Sequence, residues 1–499
     1  AFLILFIAGI NFTNLTTSLI PLRLKTINTH RVLGCSIYKL QAISLIESIV
    51  ICLISYILAL FIVNDLSYTP IANWVDADIR LSQYKGLILL TALIAILTGC
   101  LAGLYPAIRS TSYAPALVLK GSFGLSPKGK KVRVALIGFQ YTVSIALIIV
   151  TLFMGLQNHF MTSSEQLGFN KDQVAIVNLT PEIYAKHKPQ YIQKLKDYLG
   201  IEDVAFSVYE LSKEDDMIDL EYARHEDKDV FFKVFYASEN FLSVMDIQVE
   251  EGRDFTREDL NKAQSDYIIN PAAERDFHLH PGDRFNDRTV LGVSKDFRFN
   301  SCRIASSPFV FALNNDIPNP KLVSYIRFNS KTNLQEAVAH VRETLKEIDP
   351  TFPFEISFYN TILNNLYQKE QTLGKLISLF GIMAILISIV GVFGLVLFET
   401  QYRRKEIGIR KINGATTGQI LLMFNKTYIR IVSVCFIISI PIAWMGTQQW
   451  LENFAYKTPL HLWVFIVAFL IILSVTIGTV TFRNWQAANE NPVNSVKSE

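Results

Sequence analysis

The sequence predicts an α-helical polytopic membrane protein with about seven transmembrane helices and an inserted α+β extracytoplasmic domain. Three observations predict this class. The 499 residues are 50% hydrophobic and 18% charged, where soluble domains carry ~25% charge. The apolar residues gather into nearly uncharged runs of about 20, the length that crosses a bilayer as a helix. One long polar stretch, 156–372, interrupts those runs. A chain of this length exceeds one ordinary domain, so two or more units are expected.

The runs fall at 1–20, 43–63, 87–108, 134–155, 373–398, 429–449 and 462–482. The first, "AFLILFIAGI", has no charged leader region and no small-residue cleavage site. It reads as the remaining part of a membrane helix whose upstream residues are missing, not as a signal peptide. Lys and Arg gather on the cytoplasmic side of membrane proteins. The connection 21–42 carries Arg23, Lys25, Arg31 and Lys39. The connection 109–133 carries Arg109, Lys120, Lys128, Lys130, Lys131 and Arg133. The connection 399–428 carries Arg403, Arg404, Lys405, Arg410, Lys411 and Lys426. The alternate connections are poorer, with Arg80 and Lys85 in 64–86 and Lys457 in 450–461. Segments 21–42, 109–133, 399–428 and 483–499 are therefore expected inside the cell, and 64–86, 156–372 and 450–461 outside. The long segment is placed by parity, because long loops escape the charge rule.

The chain repeats itself. "RLKTINTHRVLG" (23–34) aligns without gaps on "RRKEIGIRKING" (403–414), with Arg23 on Arg403, Lys25 on Lys405, Ile27 on Ile407 and Gly34 on Gly414. Each stretch follows one span and precedes two more. "APALVLKG" (114–121) and "NPVNSVKS" (491–498) close the two copies, Pro115 matching Pro492. The expected organisation is a three-helix membrane unit (1–121), a basic linker (122–133) and a helix opening the second repeat (134–155). The polar domain with its stalk (156–372) and a second three-helix unit (373–499) complete it.

The stretch 399–420 specifies an elbow. Glu406 and Arg410 stand four apart with the acid first, the favourable order for a helical ion pair. Asn413-Gly414 offers a left-handed stop. Thr416, three residues before Gln419, forms a capping box that starts a new helix near 417. A short rigid helix between two spans can pass a push from a cytoplasmic partner into both; alternatively its cations anchor the span to anionic lipid headgroups. In the first copy Thr26 and His30 replace Glu406 and Arg410, so the ion pair is lost.

The polar segment mixes strand and helix patterns. "QVAIVNL", "YIIN" and "VLGV" read as strands; "PQYIQKLKDYL" and "LQEAVAHVRETLKEI" read as amphipathic helices. Its flanks can prolong the membrane helices as a stalk, ten further residues reaching ~15 Å.

Several chemistries are excluded. "GLSPKGKK" (124–131) approaches a phosphate-binding loop, but Lys131 stands where a magnesium-binding hydroxyl is required, and no strand precedes it. No ATPase or other catalytic centre is expected on this chain. "FHLHP" places His278 and His280 beside a Pro-Gly turn, which reads as a loop rather than a metal site. "KEDDMIDLE" (213–221) lacks calcium-loop spacing and reads as a solvated acidic loop. The five cysteines, Cys35, Cys52, Cys100, Cys302 and Cys435, show no zinc spacing, and only Cys302 lies in the polar segment, which cannot close a disulfide on itself. Gln140 reads as helix-to-helix glue and Glu47 as an interfacial hydrogen-bonding group. Nucleic-acid binding has no support.

"RRKEIGIRKINGAT" after a span resembles the signature of the FtsX-like permeases of ABC transporters, the group that includes the MacB type. "GFQYTVSIALIIVTLFMGLQNHFM", "LGFNKDQVAIVNL", "YASENFLSVMDIQVEEGRDF", "IINPAAERDF" and "GVSKDFRFNS" are similar to the family's span before the external domain and to that domain. The resemblance implies a duplicated form shortened at its N-terminus. It implies a non-catalytic membrane subunit in the cell inner membrane, with 156–372 in the periplasm. Its partners would be a dimer of cytoplasmic ATP-binding subunits, a second permease copy, a periplasmic or outer-membrane protein, and membrane lipid. The family's docking helix maps onto Arg403, Arg404, Lys405, Glu406, Ile407, Gly408, Arg410, Lys411 and Gly414, with a weaker counterpart at Arg23, Lys25, Ile27, Arg31 and Gly34. The expected function is coupling of ATP hydrolysis to movement of the external domain, for efflux or for handling lipoproteins or peptides. The alternatives are regulation of a cell-wall hydrolase or peptide sensing and, from another class, secondary transport.

Overall fold

In the computed structural model, residues 2–69, 72, 80–113, 127–163, 167–212, 219–262, 264–298, 300–313 and 322–489 are described. Pro115, Pro492 and most of "KEDDMIDLE" lie outside them, as do the glycine that opens "GLSPKGKK" and the side chains of its lysines. The chain forms two compact units: 1–155 with 372–449 and 459–499, and 156–371 with 450–458.

The first unit opens with α1 (Phe2–Val32), α2 (Ile37–Leu66), α3 (Lys85–Thr111) and α4 (Pro127–Thr162). The α2 and α3 helices meet through the Gly99–Gly103 face: a methyl on Gly103 would sit 2.6 Å from Ser48 Cβ. Small residues four apart let two helix backbones approach closely where lipid offers no hydrophobic drive.

The second unit, the head, follows. Its elements are β1 (Val174–Leu179), α5 (Lys188–Lys196), β2 (Ile201–Ser207), β3 (Asp219–His225), β4 (Lys228–Ala237), α6 (Phe241–Met245), β5 (Val249–Gly252) and β6 (Tyr267–Ile269). They continue with α7 (Pro271–Phe277), β7 (Arg284–Phe285), β8 (Arg288–Ser294), β9 (Phe309–Leu313), β10 (Leu322–Phe328), α8 (Leu334–Ile348), β11 (Ile356–Phe358) and α9 (Tyr359–Leu366). One mixed sheet runs β11-β1-β10-β2-β4-β9-β6-β8-β5, with β3 on β4 and β7 on β8. It is two half-sheets joined at a narrow seam, where β2 meets β4 only at Ser207 and Ala237.

The strand β1 is buried on both faces. Val174 and Ile176 join the aromatic core around Phe235, Phe241, Phe311 and Tyr325. Their neighbours Ala175 and Val177 point to the opposite face, against Leu195 of α5 and Val341 and Leu345 of α8. The period of two divides one apolar run between two cores. The α8 helix spans the stretch expected from its periodicity, starting where Asn333 accepts the Gln335 N–H at 3.1 Å. A third cluster packs Phe232, Phe277 and Phe285 under β4, α7 and β8. Asp259 pins a short turn in a capping box with Thr256. Arg253, first, and Lys262 hold its carboxyl well below the usual carboxylate range.

The first unit resumes with α10 (Gln368–Tyr402), α11 (Arg404–Ile412), α12 (Thr417–Leu451) and α13 (Leu462–Ala488). Among the described residues, six helices are long and apolar enough to cross a membrane: Ile37–Leu66, Lys85–Thr111, Val134–Thr162, Gln368–Gly394, Thr417–Leu451 and Leu462–Trp485. The seventh expected span lies within α1, whose apolar part, Phe2–Thr17, is shorter. Of these six, α4 is the most buried, with 44% of its apolar window buried, against 6% for α2. It holds its neighbours by small polar contacts. Ser144 meets Ser388 of α10 at 3.0 Å, and Tyr141 accepts from Thr476 of α13 at 3.0 Å. Gln140 is buried in this helix.

Candidate functional site

The second elbow has the local geometry that its spacing dictates. The α10 helix ends at Tyr402, and Arg403 leaves helical geometry with φ −91° and ψ 10° before α11 begins. Arg403 turns back to Glu399, one turn earlier, at 2.9 Å, and its guanidinium lies 5.7 Å from the centre of the Phe424 ring on α12. Tyr428, also on α12, donates to Glu399 at 3.2 Å. The bend is thus tied to both long helices.

Along α11, Arg410 donates to Glu406 at 2.7 Å and reaches Met423 Sδ at 3.0 Å. Ile407 is buried, whereas Ile409 and Ile412 are 54% and 64% exposed on one face. Gly414 closes the helix at φ +88°, a conformation costly for any residue with a Cβ. The Gly414 N–H bonds the Lys411 carbonyl at 3.0 Å and the Ala415 N–H bonds the Arg410 carbonyl at 3.0 Å. The capping box then forms: the Thr416 N–H donates to Gln419 at 3.1 Å and the Gln419 N–H to Thr416 at 3.3 Å. The side chains of Lys25, Arg404 and Lys405 lie outside the described residues.

The first elbow repeats the turn 380 positions earlier (34 for 414, 36 for 416). Gly34 has φ +93°, its N–H bonds the Arg31 carbonyl at 3.1 Å, and the Cys35 N–H bonds the His30 carbonyl at 3.0 Å. Ser36 caps α2 as Thr416 caps α12, accepting from the Lys39 N–H at 3.4 Å. What precedes the turn differs: α1 runs unbroken through Arg23, Lys25 and Ile27 to Val32. Arg23 makes a two-pronged pair with Glu47 of α2, at 2.7 and 2.8 Å. Arg31 donates to the Thr111 and Tyr113 carbonyls at 3.1 and 2.7 Å, capping the end of α3. Glu47 is therefore a hydrogen-bonded group at this elbow, in line with its interfacial reading.

Sequence reasoning passed over Ser36, although it aligns on Thr416, because no Glu or Gln stands three residues later. It also passed over the Gly99/Gly103 contact, whose small-xxx-small spacing was visible.

Within the head, the loop 450–458 forms part of the base. Gln157 is fully buried; its Nε2–H donates to the Tyr456 carbonyl at 3.1 Å, and the Thr458 N–H donates to its Oε1 at 2.8 Å. The Tyr456 N–H bonds the Cys302 carbonyl at 3.1 Å, and the Ser306 N–H donates to the Tyr456 hydroxyl at 3.1 Å. Arg298 lies between the rings of Phe160 and Tyr456, 5.0 and 4.2 Å from their centres. Arg303 pairs with Glu370 at 2.8 Å under the Phe454 ring. Met161, Cys302, Tyr367 and Phe454 close the cluster.

The family model described as FtsX-like permease C-terminal matches the chain twice, over residues 1–115 and 378–492. Among curated proteins the chain is similar to the macrolide export ATP-binding/permease protein MacB of Aggregatibacter actinomycetemcomitans. The two are 25% identical over 212 residues, 40% of this chain and 32% of that protein. It is similar to MacB of Neisseria gonorrhoeae at 25% identity over 223 residues, 42% of this chain and 34% of that protein. The chain thus spans about a third of the length of these curated relatives. Among solved structures, it aligns with the periplasmic region of MacB from Actinobacillus actinomycetemcomitans at TM-score 0.30 and 14% identity, covering 40% of this chain and 94% of that one. It aligns with the extracellular domain of the ABC-type transporter YknZ from Gram-positive bacteria at TM-score 0.28 and 15% identity, covering 37% and 99%. The two segments matched by the family model each carry one elbow, are separated in sequence by the inserted α+β domain, and make both membrane segments of the chain similar to the FtsX-like permease family.

Proposed function

We propose that this chain is the membrane subunit of a MacB-type ABC transporter. It receives ATP-driven closure of a separate cytoplasmic ATPase dimer at its second elbow and converts it into movement of the head in the periplasm. The observation that carries this reading is the second elbow: a nine-residue helix with stiff ends, tied to two long apolar helices, presenting Ile409, Ile412 and the Glu406–Arg410 pair. A partner pressing on α11 moves α10 and α12 together, because Arg403, Glu399 and Tyr428 join them.

The charge pattern places both elbows inside the cell. The head and the loop 450–458 pack into one unit, so they share a compartment, as the alternating topology requires of two outside segments. Within the apolar runs 48–63, 87–108, 134–155, 376–398, 431–449 and 462–482 the sequence has no Asp, Glu, Lys or Arg. That disfavours a secondary transporter, which needs ionisable groups at midplane. It favours cargo handled by the head, of a lipoprotein, peptide or efflux-substrate class, over cargo threaded through the bilayer.

The test is recovery of the chain from native membranes in mild detergent, followed by assay of the complex. An ATP-binding subunit is expected to co-purify and to hydrolyse ATP. Recovery without such a companion, or transport driven by an ion gradient with no ATPase present, overturns the reading.

A further inference from the structure

We infer that the head carries a divalent-metal site built from Glu251, Glu274 and His280. One carboxylate oxygen of each glutamate and one ring nitrogen of the histidine lie within 4.8 Å of one another. His280 Nδ1 is 3.5 Å from Glu274 Oε1. Zinc bonds to such donors at about 2.0–2.1 Å, so two donors at the tetrahedral angle stand about 3.4 Å apart. The His280–Glu274 edge already has that span, and Glu251 completes three protein ligands with a fourth position open.

The donors come from three places whose backbones are fixed independently of any metal. Glu274 sits on α7, which opens with Pro271 and is capped by Asn270, whose side chain accepts the Ala273 N–H at 2.9 Å. The helix stops at His278, φ 54°, and the Leu279 N–H returns to the Glu274 carbonyl at 3.2 Å. Leu279 is buried, so the chain cannot slide past this point. His280 is then held by its own backbone: its N–H donates to Asp283 at 2.7 Å, and the Asp283 N–H returns to its carbonyl at 3.1 Å. Glu251 lies on β5, paired with Val293 of β8, next to Gly252 at φ +81°. A metal would require only a turn of the exposed Glu251 side chain.

A bare surface arrangement explains less. A protonated His280 beside Glu274 is an exposed pair, worth under about 1 kcal/mol. That pair gives no reason for a second carboxylate to converge on the same spot. Among the described residues, neither Glu251 nor Glu274 has a Lys or Arg within ion-pair distance. An imidazole with two carboxylates suits zinc or a similar transition metal better than calcium or magnesium, which favour all-oxygen shells. The metal would staple β5, the last strand of the sheet, to the end of α7. His278 takes no part, because its left-handed turn sets it apart from the cluster; the three ligands were invisible in sequence because Glu251 stands far from His280.

The purified full chain in nanodiscs, stripped with a chelator and dialysed, is titrated with Zn2+ alone by calorimetry and by thermal unfolding. Saturable binding and a raised unfolding midpoint are expected, with Ca2+ and Mg2+ failing to compete. His280→Ala and Glu274→Gln should each weaken this binding roughly tenfold or more, while His278→Ala leaves it unchanged. Unfolding of each variant in chelator, compared with the parent, shows whether it still folds. No saturable binding overturns the site, as does binding that His280→Ala leaves intact or that His278→Ala weakens equally.

Discussion

The two elbows share a turn and differ in the use of their charges. Gly34 and Gly414 adopt the same left-handed geometry and close the same pair of backbone hydrogen bonds, and Ser36 and Thr416 cap the helices that follow. Before the turn they diverge. In the first copy the helix is continuous, and its arginines are spent inside the unit, Arg23 on Glu47 and Arg31 on the end of α3. In the second the helix breaks at Arg403, and the Glu406–Arg410 pair lies along a separate segment beside exposed Ile409 and Ile412. The two copies share the bend but not the helix before it. On the function proposed above, the first elbow is a strut and the second the docking element.

Five measurements break or sharpen that contrast. The largest effect is expected at Arg410. Arg410→Glu, and Glu406→Lys likewise, should weaken capture of the ATPase roughly thirtyfold, the scale of an arginine hot spot; His30→Glu, at the matching position of the first copy, should leave it within roughly twofold. Equal losses in pull-down titrations of both copies would erase the asymmetry.

Asp259→Asn is the control for general damage. It leaves Arg253 and Lys262 without their shared carboxylate and should cost about 2 kcal/mol of stability, less than a fully buried pair because both cations are half exposed. The Asp259 carboxyl is held below its ordinary value, so its contribution is complete above about pH 4 and fades as acid approaches the folded value. Thermal unfolding against pH should show that acid-side loss in the parent and not in the variant. If Asp259→Asn also weakened ATPase capture, the Arg410 result would reflect a damaged protein rather than a damaged contact.

Gly34→Ala and Gly414→Ala should each cost about 1–2 kcal/mol, because both impose a left-handed residue. Only Gly414→Ala should also lower coupled ATP hydrolysis. Thr416→Ala should cost about 1 kcal/mol and Ser36→Ala less, since the Ser36 bond is longer and lacks the reciprocal Gln. The smallest effect is expected for Glu47→Gln, about 0.5 kcal/mol for a half-exposed pair, with coupling untouched. A large coupling defect from Glu47→Gln would make the first elbow a docking element after all.

What the sequence disclosed follows the range of the forces involved. Glu406 to Arg410, Gly414, and Thr416 to Gln419 are contacts over three or four residues, so spacing rules suffice to find them. The bounds of α8 and the two-faced β1 follow from periodicity in the same way. Gly414 was also transferable to Gly34 by alignment. The partner of Arg23 is 24 residues away and that of Arg31 about 80, and no local rule connects them. For the same reason alignment suggested a weaker docking helix at 23–34, whereas α1 runs straight through the position where α10 ends. The base of the head was least visible, because Gln157 meets a loop some 300 residues further along.

That last contact bears on how such heads can be exchanged between relatives. Residues 450–458 leave one long apolar helix and enter another, yet their backbone is read by an amide at the start of the head, and their tyrosine receives a hydrogen bond from its middle. A chimera that swaps 156–371 alone would separate Gln157 and Ser306 from Tyr456. The transplantable module is therefore discontinuous, and a graft must carry both pieces or rebuild the fit between them.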